Sequence, residues 1–345
     1  MKNLFDHTKI GSMKMKNRLI RAAVGDHNTV NGHITEKNFK VYEALAKGGV
    51  GTIITGYAYV AGYPNRPDMF GIYDDSFISE YSKLTETVHK YNANIILQLV
   101  HCGSYTLIDI AGGKTPGPSA VENLHSKKTP IEMQKQDIQD VQSAFAEASV
   151  RAKKAGFDGV EIHAAHGFLL SQFLTPYYNR RIDEYGGTNE NRAKMLLETY
   201  QITKKTVGKD YPVIVKINCT DGIDDGITPE GFYTACRQLM QANVDAIEVS
   251  GEWIPFKNTD AFYFKNYAEK VAAETKSPII LVGGIKDFNA ATNVLNETSI
   301  EYFSICRPLI AEPDLVNRWA SGDTRRVKCA SCNSCLNVGK CVLNA

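Results

Sequence analysis

An α/β chain folded as a (β/α)8 TIM barrel, with a short cysteine-rich C-terminal tail, is predicted by three observations. Eight apolar, β-branched segments recur along the chain with helix-patterned stretches between them. Each segment is continuous in its hydrophobicity, as expected when both faces of a parallel sheet are buried. The fourth stops abruptly at His163-Ala-Ala-His166 followed by Gly167, which puts two imidazoles at a strand's carboxyl end. In such barrels that rim carries the chemistry. A doubly wound open sheet would want G-x-G-x-x-G after its first strand, and none is present.

The expected strands are 19–23, 51–55, 95–99, 160–163, 212–217, 246–249, 279–282 and 302–305. Helical runs follow most of them, among them 36–47 and 76–91, and Gly48-Gly49 ends the first as glycine does at helix C-termini. Before the fourth strand, Ile138, Val141, Phe145, Ala148 and Ala152 repeat at helical spacing as far as Gly156. The segment 104–136 is a long excursion beyond the third strand, and so long a loop in a compact domain is more often functional than idle. A helix start is expected near Pro313-Asp314. The division that follows is a barrel over 1–325 and a tail over 326–345.

Composition excludes several classes. A chain of 345 residues with 43% hydrophobic and 22% charged residues is ordinary for one soluble barrel. A net charge of +1 with no basic cluster gives no reason to invoke nucleic acid. No apolar run approaches the ~18–20 residues of a membrane span, and the first residues lack the apolar core of a signal peptide. A cytoplasmic protein is therefore expected, with homo-oligomerisation left open. Its eight cysteines argue for thiols or metal ligation over disulfides.

Four of those cysteines, Cys329, Cys332, Cys335 and Cys341, fall within thirteen residues. Thiolate ligation of zinc or of an iron–sulfur cluster is one reading, and unligated reduced thiols are the other. For the two histidines, one core and one surface imidazole is the plain alternative to a paired site.

The stretch HAAHGFLLSQFLTPYYNRRIDEYGGTNENR resembles the central signature of the Old Yellow Enzyme family of FMN-dependent ene reductases. The likeness is nearest to the branch containing bacterial 2,4-dienoyl-CoA reductase. It runs almost end to end, through LFDHTKIGSMKMKNRLIRAA, LQLVHCG at 97–103, GPSA at 117–120 and SICRPLIAEPDLVNRW at 304–319. The tail is similar to the segment that holds a [4Fe–4S] cluster in dienoyl-CoA reductases, though with shorter gaps before its third and fourth cysteines.

What the resemblance implies is a flavin site assembled from strand ends. Ala22, Ala23, Val24 and Gly25 would lie under the ring; relatives that carry a flavin-modulating cysteine have it where Gly25 stands here. Tyr57 joins this set. Gln98, an amide in a buried strand, would satisfy both its ends on the pyrimidine edge of FMN. Lys216 would stabilise the charge of reduced flavin, unless it simply pairs with a carboxylate. Gly283, Gly284, Cys306 and Arg307 would form the phosphate cup after strands seven and eight. A mononucleotide fits better than FAD, because nothing would read an adenine.

His163 and His166 would hydrogen-bond the carbonyl oxygen of an α,β-unsaturated substrate and stabilise the enolate. His27 and Phe168 would touch that substrate, whereas His101 reads as a structural core histidine. Phe168 departs from the family, which commonly has a proton-donating tyrosine there, so solvent, Tyr57, Tyr177 or Tyr178 must supply the proton. The implied activity is an FMN-dependent ene reductase using NADH or NADPH. Two alternatives stand beside it: a dienoyl-CoA-reductase-like component fed by a separate electron donor, and a non-catalytic flavin or redox sensor. The aromatics Tyr57, Tyr59, Tyr63, Tyr105, Trp253, Phe262 and Tyr263 suggest a flat, apolar substrate.

Overall fold

Each of the eight apolar segments forms a parallel strand in the computed structural model, which describes residues 1–25, 27–64, 66–108, 115–252, 261–335 and 339–344. The strands are β1 (Leu19–Arg21), β2 (Thr52–Tyr59), β3 (Asn94–Val100), β4 (Gly159–Ala164), β5 (Val213–Asn218), β6 (Ala246–Ser250), β7 (Ile279–Val282) and β8 (Tyr302–Ile305). Neighbours in sequence are neighbours in space, and β8 returns to β1 in the register Phe303↔Leu19. The sheet therefore closes and leaves no barrel edge. β1 ends at Arg21, two residues short of expectation, and β2 runs four residues past it.

Helices cover the outside: α1 (Glu36–Lys47), α2 (Ile78–His89), α3 (Lys135–Lys154), α4 (Leu169–Leu174), α5 (Asn189–Val207), α6 (Pro229–Gln241), α7 (Lys265–Glu274), α8 (Phe288–Glu297), α9 (Arg307–Ala311) and α10 (Leu315–Ala320). Local chemistry sets their ends. Thr228 caps α6 through its side chain with Pro229 in the first turn, where a missing N–H costs nothing. The five periodic residues of α3 are all buried against the barrel, and Arg151, Lys153 and Lys154 crowd its last turn, where cations favour the dipole. Asp314 does open a helix, α10, but α9 starts earlier, at Arg307 itself.

A hairpin that sequence reading passed over closes the amino-terminal end of the barrel. Thr8–Ile10 pairs with Met13–Met15 around Gly11, whose φ of +56° favours glycine. Ile10, Met13 and Met15 pack into one buried cluster with Ile20, Ile54, Ile96, Ile214, Ala246, Ile280 and Tyr302. The lower interior is thus an apolar plug. Among the described residues no helix is long and apolar enough to cross a membrane.

Candidate active site

At the carboxyl ends of the strands lies a cavity of about 440 Å³, within the roughly 300–1,000 Å³ usual for small-molecule sites. All eight strands, or the residue just past them, contribute to its lining: Ala22, Tyr57, Gln98, His163, Lys216, Ser250, Val282 and Cys306 in strand order. Ala23, Val24, Gly25, His166, Phe168, Gly283 and Arg307 line it too. The structure therefore brings together residues up to 285 positions apart, Ala22 to Arg307, that the sequence nominated separately. Gly284 borders a small adjoining pocket of about 50 Å³ with Gly283, Cys306 and Arg307. His27 stands beside the cavity, outside its lining, with Nδ1 2.9 Å from Asp68 Oδ2. His101 is buried, its Nδ1 accepting from Gly103 N, and burial pulls its pKa down to about 4.

The two histidines are set by different partners. Nδ1 of His163 accepts from the Ala165 N–H at 3.2 Å, which places the ring proton on Nε2. Nε2 has no partner among the described residues. His166 sits in the left-handed region at φ +58° and is followed by Gly167 at +73°, so the chain turns sharply off β4. Its backbone N–H donates to Asn218 Oδ1 at 3.2 Å, while its Nε2 lies 2.9 Å from Ser250 Oγ. A hydroxyl donated by Ser250 leaves the His166 proton on Nδ1. Burial, then the neighbouring His166 and the Lys216 charge, hold the His163 pKa far down; burial and Lys216 bring His166 to about 3. Both rings are thus neutral donors at ordinary pH.

Beneath them runs a polar chain inside the barrel. Gln98 Nε2 donates to Glu161 Oε2 at 2.5 Å, and Lys216 Nζ donates to Glu248 Oε1 at 2.9 Å. All four side chains are essentially inaccessible. Burial and the adjacent Glu248 push the Glu161 carboxyl well up, so it holds its proton at neutral pH. Glu161 Oε1 and Glu248 Oε2 have no N–H donor, and a proton shared between the two carboxyls satisfies both. Burial is the largest influence on Lys216 and pulls it down, yet Glu248 and Glu161 together more than offset it and keep the ammonium charged. Lys216 pairs with a carboxylate and also lines the cavity. Among the described residues, Gln98 Oε1 is a buried acceptor without a donor.

Phe168 is buried in an aromatic wall. Its ring lies 5.4 Å from Tyr57 and 5.3 Å from Tyr105, and Tyr105 stacks on His125 at 4.4 Å. Tyr105, His125, Ser250, Gly251, Glu252, Tyr263 and Phe264 complete the lining. Of these, the sequence had singled out only the tyrosines. Glu161 and Glu248 were also missed, although each is an acid inside an apolar strand, the same anomaly that marks Gln98 and Lys216. Tyr59, Tyr63 and Phe262 do not line the cavity, nor do Tyr177 and Tyr178. Trp253, with the loop residues 109–114 and 253–260, lies outside the described residues.

The tail folds against the Arg307 corner, where the guanidinium donates to Asn333 Oδ1 at 2.5 Å and Lys286 reaches Ser331 Oγ. Metal ligation at Cys329, Cys332, Cys335 and Cys341 is not supported. Among the described residues no three His, Cys, Asp or Glu side chains are gathered as a metal-holding group.

Residues 3–325 match the model of the NADH:flavin oxidoreductase / NADH oxidase family. An NADPH dehydrogenase of Bacillus subtilis is 31% identical over 317 residues, covering 90% of this chain and 92% of that protein. A cinnamate reductase of Clostridium sporogenes is 32% identical over 366 residues, covering 96% of this chain and 55% of that one. The solved structure of a 2-naphthoyl-CoA reductase in complex with 2-naphthoyl-CoA superposes with a TM-score of 0.90 at 27% identity, over 98% of this chain and 56% of that chain. The chain spans about half the length of several curated relatives that it matches. It belongs to the NADH:flavin oxidoreductase / NADH oxidase family, which bears out its resemblance to the Old Yellow Enzymes.

Proposed function

We propose that this barrel is an FMN-dependent ene reductase, taking electrons from NADH or NADPH and reducing the activated C=C bond of an α,β-unsaturated carbonyl compound. The observation that carries the reading is the pair of neutral imidazole donors, His163 and His166, in the one cavity that also presents Gln98, Lys216 and Arg307. The donor set suits FMN. Gln98 Oε1 is a buried acceptor in want of an N–H, such as the pyrimidine edge of a flavin provides. Gly283 and Gly284, at φ +99° and +70°, expose backbone with no Cβ beside the Arg307 cation, as a phosphate requires.

When bound, FMN supplies hydride at N5 for the β-carbon. Everything else falls to the chain. Ala22 to Gly25 offer a flat, small-residue floor, and Lys216 holds a positive charge where reduction adds a negative one. His163 donates from Nε2 and His166 from Nδ1 to the carbonyl oxygen, which drains electrons from the double bond and stabilises the enolate. Such a donor contributes ~3 kcal/mol to a transition state. Neutral rings suit this task, since their protons are shared and not given away.

Purified protein is expected to be yellow, to release FMN on denaturation, and to bleach with NADH or NADPH under argon before recovering colour with cyclohexenone. A colourless protein that cannot be reconstituted with FMN would overturn the reading. Bound flavin that nicotinamide fails to reduce would move the electron donor to a separate protein.

A further inference from the structure

Phe168, beside the two histidines, has no proton to give, so it is not the source of the second hydrogen in the reaction proposed above. The cavity offers another. His125 Nε2 lies 3.0 Å from Glu252 Oε1, and both residues line the cavity. The pair sits directly over the turn that presents the histidines. A Cβ built on Gly167, between His166 and Phe168, would lie 3.4 Å from Glu252 Oε1 and 3.7 Å from His125 Cδ2. Glu252 is fixed by its backbone N–H to Thr220 O at 2.9 Å, and its Oε2 lies 3.5 Å from Asn218 Nδ2. Asn218 in turn accepts the His166 backbone N–H. His125 is held flat by Tyr105, whose ring is sandwiched between it and Phe168.

The alternative tyrosines are poorly suited. Tyr178 accepts the Leu124 N–H at 3.3 Å, and neither it nor Tyr177 lines the cavity. Tyr57 does reach it, but burial pushes its phenol far up, which makes it a reluctant acid. The side chains of His125 and Glu252 are 21% and 13% exposed, so water can restore a proton once it has left.

We infer that the His125–Glu252 pair delivers the proton to the substrate α-carbon, in place of the hydroxyl that Phe168 lacks. This rests on the ene-reductase reading. Once the β-carbon has accepted hydride, the electron pair of the old C=C bond resides in the enolate held by His163 and His166. That pair forms the new Cα–H bond with a proton given up by the net-neutral dyad, which is left as neutral imidazole beside carboxylate. The carbonyl re-forms, and the dyad, one proton poorer, regains it from water.

The test uses the flavin-loaded protein, reduced under argon, and compares two oxidants. Ferricyanide takes electrons without making a C–H bond; 2-methylcyclohexenone requires α-protonation. His125→Asn is expected to slow reoxidation by the enone by about 10²-fold, the lower end of what a positioned general acid contributes. Reoxidation by ferricyanide should stay within about twofold, the flavin spectrum reporting an intact site. Wild type should yield one configuration at the α-carbon. His125→Asn and Glu252→Gln should both erode it, because bulk water protonates either face. An unchanged enone rate and configuration in both variants overturns the inference. So does a loss confined to Tyr105→Phe, which would assign the proton to that phenol. Failure of the wild type to bind flavin or reduce the enone overturns the underlying reading, and this inference with it.

Discussion

Two layers of the same barrel interior, two residues apart on shared strands, are built on opposite principles. The lower layer sets Ile96 on β3, Ile214 on β5 and Ala246 on β6 against the N-terminal hairpin, and is apolar and fully buried. One step up, the same strands carry Gln98, Lys216 and Glu248, joined by Glu161, equally buried but charged or hydrogen-bonded. The lower layer gains from every methylene removed from water. The upper layer pays desolvation for an ammonium and two carboxyls, and an apolar replacement of similar volume would often be no less stable. What that layer provides is a fixed positive charge and an unsatisfied amide oxygen facing the cavity. The lower layer holds the barrel shut; the upper one readies it for a ligand.

Substitutions should separate the two roles. The largest effect is expected from Lys216→Met, which strands Glu248 as a buried, unpaired carboxylate. Loss of one partner of such a pair costs ~3–5 kcal/mol, seen as a lower urea midpoint of the flavin-free protein at pH 8. Flavin affinity should fall as well, and an unchanged urea midpoint would show that Glu248 does not depend on Lys216.

Ile96→Ala, directly below Gln98, should cost ~2–5 kcal/mol through lost burial and the remaining cavity. Flavin affinity of the folded fraction should not change, measured by fluorescence quenching below the unfolding midpoint. Weakened flavin binding there would erase the distinction between the layers. The milder Ile54→Val should cost ~0.5–1.5 kcal/mol by the same assay, again without touching the flavin.

Glu161→Gln should be the smallest change at pH 5, under ~1 kcal/mol, because the amide mimics a carboxyl that already holds its proton. Its signature lies in the pH dependence. The folded pKa of Glu161 is raised above its unfolded value, so the native state binds the extra proton between the two. Wild-type stability should therefore fall as pH rises from the ordinary carboxylate range through that raised value. The variant should flatten this slope in urea titrations across pH 5 to 9. An unaltered slope would mean that Glu161 is ionised in the fold.

The barrel was legible because its strands are mostly apolar runs without alternation, as a sheet buried on both faces requires. The N-terminal hairpin carried a readable signal too, with Ile10, Met13 and Met15 facing inward about Gly11, but three-residue strands are too short for periodicity to declare them. Within the site, Gln98 and Lys216 stood out as polar groups in buried strands. Glu161 and Glu248 bore the same mark. His125, Ser250 and Glu252 bore none, since a histidine, a serine and a glutamate near loops are what any surface would show.

By itself, then, the sequence determined the closed barrel, the rim on which chemistry sits, and most of the residues that meet there, because burial and periodicity are local properties of a chain. Only the tertiary structure decided what each polar group is paired with. Ala165 N–H fixes the proton of His163, Glu248 keeps Lys216 charged, and Glu252 meets His125 across 127 positions. Protonation and hydrogen bonding depend on distances of about 3 Å in space, and residues so far apart in the chain acquire such distances only when the barrel closes.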